Sequence, residues 1–373
     1  MSILRRLLRA GVPLKAARAW ANLPAVAGHS TLIDIAKSLD PDGKVAVVAE
    51  LLNQSNEMIR YMNFIQGNLP TGHKAVVRAG LPTVTLRRFY RGVAVSKSGR
   101  ATIEDVCAML EGRNEIDKAL ADLNGNAQAF RMSESLAFIE SMNQTYAQQM
   151  VYGDTSTNKD GILGLAPRYN SLSATSGANI ISAGGSGADN TSVWLVVWGA
   201  NTVTGIYPKG SQAGLVQEDL GVIDAFDASN NRFRAYAERW EWKFGLHVKD
   251  WRYVVRIANI DISDLAGQTG TQAITAATWI NKLMIKALAR IPSMGMGVAT
   301  FLASRTVKEM LSIGALDKSQ NALSFTAATD QYGKVSPGSV AGQGTGIQGG
   351  QLLFQGVPVL TVDQILATEA VVS

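Results

Sequence analysis

Between Ala127 and Val151 the apolar positions Phe130, Ala137, Phe138, Met142, Tyr146 and Met150 recur mostly three or four residues apart, with Ser, Gln, Asn and Glu between them. That spacing predicts a single helix, about 37 Å long at roughly 1.5 Å rise per residue. Its apolar stripe is narrow, and its other faces are polar but sparsely charged. Such a rod suits a structural strut better than the buried core of an enzyme. It ends at Tyr152-Gly153-Asp154, and a polar turn leads to Gly161–Tyr169.

Upstream, Leu32–Leu39 and Val45–Met62 carry short helical patterns, split by the turn-forming Asp40-Pro41-Asp42-Gly43. Residues 64–100 are punctuated by Gly and Pro, with strand-like runs at Ala75–Arg78, Thr83–Tyr90 and Gly92–Ser96. They read as a long, irregular hairpin with too few apolar residues for its own core. Thr102–Leu123 reads as a helix, with Thr102 as N-cap and Asp105 near the capping-box position. Val193–Trp198 is a β run. Arg232–Val248 alternates with the period of a half-buried strand: Tyr236, Trp240, Trp242, Phe244 and Leu246 share one side, interrupted by Glu238. Trp251–Ile260 is a second strand, reached through a bend or bulge. Thr278–Arg290 and Ser304–Leu316 read as helices, 326–350 as a polar loop, and Leu352–Phe354 and Gly356–Val362 as closing strands before an Asp363–Leu366 turn. Helices and strands alternate without βαβ regularity, which makes the fold class α+β.

Charge sharpens this picture. The formal net charge is +5, and Arg5, Arg6, Arg9, Lys15 and Arg18 all precede the first acid, Asp34. Without those five cations the chain is balanced, so the whole excess sits on an N-terminal arm. A neutral body argues against a broad electrostatic footprint for nucleic acid. Within 64–100 there are seven cations, among them Arg87, Arg88, Arg91 and Lys97, and no acid. That segment needs something else to lie on, and a neighbouring subunit is the natural support. Charged residues are only 17% of the chain, which leaves much uncharged surface to bury against other copies.

Catalytic chemistry is not legible. His29, His73 and His247 stand far apart and Cys107 is the one cysteine, so there is no intrachain disulfide and no zinc spacing. No nucleophile-elbow, Walker or zincin motif occurs. Gly344-Thr-Gly346-Ile-Gln-Gly349 has dinucleotide spacing but follows a loop and precedes a strand, the wrong context for a pyrophosphate. Asp224, Asp227 and Asn230 only loosely approximate a calcium loop and read as turn acids. The basic and aromatic residues of Arg232–Arg256 read as a buried sheet face before a stacking groove. We therefore expect no catalytic residues, no cofactor and no metal. No apolar stretch approaches a membrane span.

The order of segments nevertheless carries a resemblance. A basic arm, an acid-free hairpin and a long helix ending in Tyr152-Gly153-Asp154 are followed by Gly161–Tyr169 and Ile206-Tyr207-Pro208-Lys209-Gly210-Ser211. Then come Trp251-Arg252-Tyr253, Arg256–Ile260 and Gly356-Val357-Pro358-Val359. From about residue 30 onward this resembles the major capsid proteins of tailed double-stranded DNA bacteriophages, with the Hong Kong 97-type fold. The resemblance implies an N-terminal arm with short helices (1–63), an extended E-loop hairpin (64–100) and a peripheral domain (101–264). That domain would hold a spine helix at about 127–151 and long strands at about 232–260. An axial domain (265–350) and a C-terminal strand returning to the body (351–373) would complete it.

The resemblance further implies a virion protein that assembles in the bacterial host cytoplasm into hexamers and pentamers of an icosahedral shell around double-stranded DNA. Scaffolding, portal and decoration proteins are candidate partners. Arg87, Arg88, Arg91 and Lys97 are then candidate intersubunit contacts, and Arg5, Arg6, Arg9, Lys15 and Arg18 candidate contacts to scaffold or DNA. No long charged scaffolding segment precedes the body, so a separate scaffolding protein, or none, is expected. Lys74 and Lys97 lie where some relatives crosslink, but no partner residue is identifiable. The residues alone leave open a soluble α+β enzyme or ligand-binding protein with a spatially assembled site.

Overall fold

The computed structural model describes residues 56–122, 127–227, 229–266, 271–316, 323–326 and 351–373. The cationic arm, the Leu32–Leu39 pattern, the start of Val45–Met62 and the G-x-G-x-x-G motif lie outside these residues. In chain order the strands are β1 (Phe64–Gln66), β2 (Gly72–Gly80), β3 (Gly99–Asp117), β4 (Ile180–Ser182), β5 (Asn190–Trp198), β6 (Val203–Tyr207), β7 (Leu215–Phe226), β8 (Arg232–Val248), β9 (Val254–Asp261), β10 (Val298–Ala303), β11 (Leu323–Thr326), β12 (Gln351–Phe354) and β13 (Val357–Thr361). The long helices are α1 (Ala127–Tyr152), α2 (Thr271–Arg290) and α3 (Arg305–Leu316). The described chain forms two compact units, and β3, α1 and β8 each run through both.

In the first unit (109–145 and 214–243) β7 and β8 form an antiparallel ribbon from Leu215↔Trp242 to Phe226↔Arg232. Asp227 closes its turn: the carboxylate accepts from the Ser229 and Asn231 amides at 2.9 and 2.7 Å. Phe138 of α1 stacks on Trp240 with ring centroids 4.7 Å apart, and Phe130 is buried with Ile116 and Ala121. Glu238, the residue that interrupts the alternation of β8, is buried. Arg131 pairs with it at 2.6 Å and the Ser135 hydroxyl donates to it at 2.6 Å. One face of α1 stays open here, with Met132, Leu136 and Ile139 exposed at helical spacing.

The second unit (54–108, 146–213 and 244–373) holds the main core. β5 lies between β9 and β10, antiparallel to both, and β13 continues the sheet parallel to β10. Every residue of β5 is buried, as a strand covered on both faces requires. Ile280, Leu283, Met284 and Ala287 of α2 and Val307, Met310 and Leu311 of α3 pack on the sheet. Each large side chain so buried contributes about 1.5–3 kcal/mol. In the C-terminal part of α1, Tyr146, Ala147, Met150 and Val151 are fully buried, while Gln148 stays exposed. Gly153 ends the helix because a side chain there has no room. A Cβ would lie 2.4 Å from the Gln149 carbonyl oxygen and 2.6 Å from that of Ile162.

Two expectations are corrected. Thr102–Leu123 is not a helix: most of it belongs to β3, and only Lys118–Ala121 is helical, capped by Asp117. The local Thr102/Asp105 signal loses to the ladder with β2, which satisfies the backbone of Gly99–Val106 over long range. Gly112 weakens a helix there by about 1 kcal/mol. Trp251–Tyr253 is a 3-10 turn and the second strand starts at Val254. The N-cap Asp250 holds that turn by accepting from the Arg252 amide at 3.1 Å.

Candidate functional site

The hairpin of residues 64–108 is built from its root outward. β2 and β3 pair from Gly72↔Val106 to Arg78↔Arg100, with an irregularity before Gly80↔Gly99. Gly72 permits the closest approach: a Cβ would sit 2.1 Å from the Asp105 carbonyl oxygen. The Asn68 side chain braces the root by bonding both backbone groups of Lys74, at 2.7 and 2.8 Å. The Gly67 amide donates to the Tyr207 carbonyl at 2.8 Å, and the Cys107 amide to that of Thr71 at 2.9 Å.

Beyond the root regular pairing stops. Residues 81–98 contain a turn in which the Arg91 amide donates to the Arg88 carbonyl, with Tyr90 at φ 62°, and a bond from the Ser96 hydroxyl to the Thr83 carbonyl. The strands expected at Thr83–Tyr90 and Gly92–Ser96 are absent. A two-stranded ribbon with no face to pack on is marginal, and here nothing among the described residues covers it. Leu81, Val84, Leu86, Phe89 and Val95 are 82–104% exposed. The sequence singles out the cations of this segment; that these apolar side chains stand bare beside them is visible only in the structure.

Arg87, Arg88, Arg91 and Lys97 are all exposed on the same segment, and none pairs with a carboxylate among the described residues. The nearest ion pair on the hairpin is at its root, Lys74 to Glu104 at 3.6 Å. The structure thus brings the four hairpin cations together with five bare apolar side chains. It does not describe Arg5, Arg6, Arg9, Lys15 or Arg18.

Two buried polar clusters lie in the second unit. Asp105 accepts from Arg168 at 2.6 Å and is bonded to His247 Nδ1 at 2.7 Å. Burial alone would raise its carboxyl, but the His247 bond and the Arg168 guanidinium outweigh that and hold it below the ordinary value. Burial, with Asp105 nearby, pushes the Cys107 thiol up to about 11, so it is a poor nucleophile. The other cluster joins Arg256 to Glu369 at 2.8 Å, with Ser192 and Tyr152 also bonded to that carboxylate. It pins the C-terminal segment to β5 and β9. Among the described residues no group of three or more His, Cys, Asp or Glu could hold a metal. A shallow, open cavity of about 320 Å³ lies between Glu104–Val106 and Thr155, Lys159 and Leu163.

Comparison with known proteins gives the identity of this architecture. A family model described as major capsid protein GP7 matches residues 40–373. A chain from the solved structure of bacteriophage Epsilon15 is 29% identical with a TM-score of 0.66, over 94% of this chain and 98% of that one. A chain of the bacteriophage JBD30 capsid is also similar, at 7% identity and a TM-score of 0.43, over 84% of this chain and 92% of that one. A comparison with curated proteins finds no match. The long helix, the bare hairpin and the α+β body accordingly have the Hong Kong 97-type fold, and the chain belongs to the family of major capsid protein GP7, structural coat proteins of phage shells.

Proposed function

We propose that this coat protein builds its icosahedral shell by laying the hairpin at 64–100 on an adjacent copy. Arg87, Arg88, Arg91 and Lys97 then meet the neighbour's carboxylates. The observation that carries the reading is the segment 81–98, whose large apolar side chains and unpaired cations have no partner within the described chain. Fully burying those five apolar side chains at about 1.5–3 kcal/mol each supplies roughly 8–15 kcal/mol gross. Association costs an estimated 4–15 kcal/mol. A single contact of this kind is therefore marginal, and many repeated around closed rings are not. That balance suits a subunit that must stay soluble before it assembles.

On the same reading, 101–264 is the peripheral domain with α1 as its spine, 265–350 the axial domain at the five- and six-fold axes, and 351–373 the returning strand. The shell encloses double-stranded DNA and forms in the bacterial cytoplasm. Arg5, Arg6, Arg9, Lys15 and Arg18 contact scaffold or DNA inside it, and portal and decoration proteins complete the particle.

The test is the triple variant Arg87→Glu, Arg88→Glu, Arg91→Glu. We expect a folded subunit by circular dichroism that forms no particles in the electron microscope. Normal shells from this variant refute the hairpin reading. Deleting residues 2–20 tests the arm: unchanged assembly and DNA packaging refute its role.

A further inference from the structure

We propose that His73, packed on His247, forms an acid-sensitive latch on the hairpin, closed at neutral pH and loosened when His73 takes up a proton. The two residues sit where the hairpin leaves the body. His73, on β2, is in register with Asp105 on β3, and its ring lies edge-on to that of His247, 4.7 Å between centroids. His247, at the end of β8, is 1% exposed and bonded through Nδ1 to Asp105. The Asp105 carboxylate can only accept, from this ring, from Arg168 and from the Val248 amide. Nδ1 of His247 therefore carries the proton, and Nε2 is left as the basic lone pair. That Nε2 is buried without a partner, and so is Nδ1 of His73.

The charges around the pair fix the direction of the effect. At neutral pH Asp105 balances Arg168, and the His73 imidazole, its value lowered by burial, is neutral. Lys249, next along the chain from β8, adds a positive field at His73. Glu104 and Lys74, on β3 and β2, offset one another at the exposed edge. Cys107 stays neutral. A proton on His73 adds a second cation to a cluster that already holds Arg168 against one carboxylate, within ring contact of His247. Burial, then His247 and Lys249, lower the affinity of His73 for that proton, and Asp105 only partly restores it.

The sign follows from linkage. A histidine whose folded value is depressed stabilises the fold fully above its unfolded value of about 6.5, and that contribution is lost as the pH falls through the folded value. Asp105, held below its ordinary value, stays ionised through this window. The group that changes charge is therefore the His73 imidazole. Because residues 81–98 are held by nothing else in the described chain, loosening at Gly72–Val106 frees the whole hairpin.

Hydrogen-exchange mass spectrometry on intact shells and on dissociated subunits, from pH 7.5 to 5.0 and corrected for intrinsic exchange, tests this. In the wild type, peptides covering 68–80 and 99–108 should exchange severalfold faster at pH 5.0, while those covering β10 and β13 do not change. His73→Gln and His247→Asn, the latter keeping a donor toward Asp105, should flatten the response. His73 is half-buried, so its variant tests the latch even if the His247 variant misfolds. A flat wild-type profile overturns the proposal, and so does acid loosening that persists in His73→Gln. The dissociated subunits separate this result from the intersubunit reading, because the latch lies within one chain.

Discussion

Removing the Glu369 carboxylate should cost more stability than any other single polar change in the second unit. Arg256 is held at Nη2 by Glu369 at 2.8 Å, at Nη1 by the Tyr169 carbonyl at 2.8 Å and at Nε by Ser192 Oγ at 3.0 Å. Its guanidinium lies 4.9 Å from the centroid of the Trp194 ring. Both charged side chains are 5% exposed or less. Glu369→Ala leaves a buried, unneutralised guanidinium, which costs about 3–5 kcal/mol. It also takes one bonding partner from both Tyr152 and Ser192. A domain has only about 5–15 kcal/mol in total, so roughly a fifth or more is at stake. Glu369→Gln keeps one acceptor oxygen and loses the charge, and should cost about 1.5–3 kcal/mol. The double variant Arg256→Met, Glu369→Leu removes both charges, and replacing a buried pair by apolar groups is often neutral. It should lie within about 1–2 kcal/mol of wild type. The assay is urea unfolding of dissociated subunits followed by tryptophan emission, to which Trp194 reports from beneath the pair. A Glu369→Ala variant within 1 kcal/mol of wild type, on the scale of an exposed pair, refutes the argument. A double variant as unstable as the single one does so equally.

Other outcomes follow from the same geometry. Glu238→Ala in the first unit should cost less than Glu369→Ala, about 1–3 kcal/mol, because Arg131 keeps Asp219 at 2.8 Å; urea midpoints of the two variants compare them. Gly153→Ala should yield little soluble subunit, since the added Cβ meets two carbonyl oxygens rather than a movable side chain; soluble yield and melting temperature check it. The Asp105 carboxyl is held below its ordinary value of 3.8, so its contribution is complete above that value and lost as the pH falls through the lower folded one. An acid titration of Asp105→Asn should lack that strongly acidic component, and a curve parallel to wild type would contradict it.

Much of the architecture was readable because it is periodic and local. Of the predicted stripe along α1, Phe130, Met142, Tyr146 and Met150 are buried, Phe138 is half-buried and Ala137 is exposed, and the apolar run at β5 is a strand covered on both faces. Arg232–Val248 is one long strand, and even its misfit, Glu238, marked a real event, a buried carboxylate answered by Arg131. The failures share a cause. Thr102–Asp105 looks like a helix start at the scale of four residues, yet its backbone bonds are made with β2, some thirty residues earlier. The hairpin cations were visible as a run without acids. The apolar side chains beside them were not, because exposure is a property of the packed chain.

By itself the sequence determined the long helix, the buried strands, the neutral body and the order of segments that resembles a coat protein. These follow from spacing and charge along one chain. Only the tertiary structure decided that Asp105, His73, His247 and Arg168 meet at the root of the hairpin, and that Arg256 closes on Glu369 more than a hundred residues away. Buried charges must find partners wherever the fold brings them, and nothing in the local pattern says which.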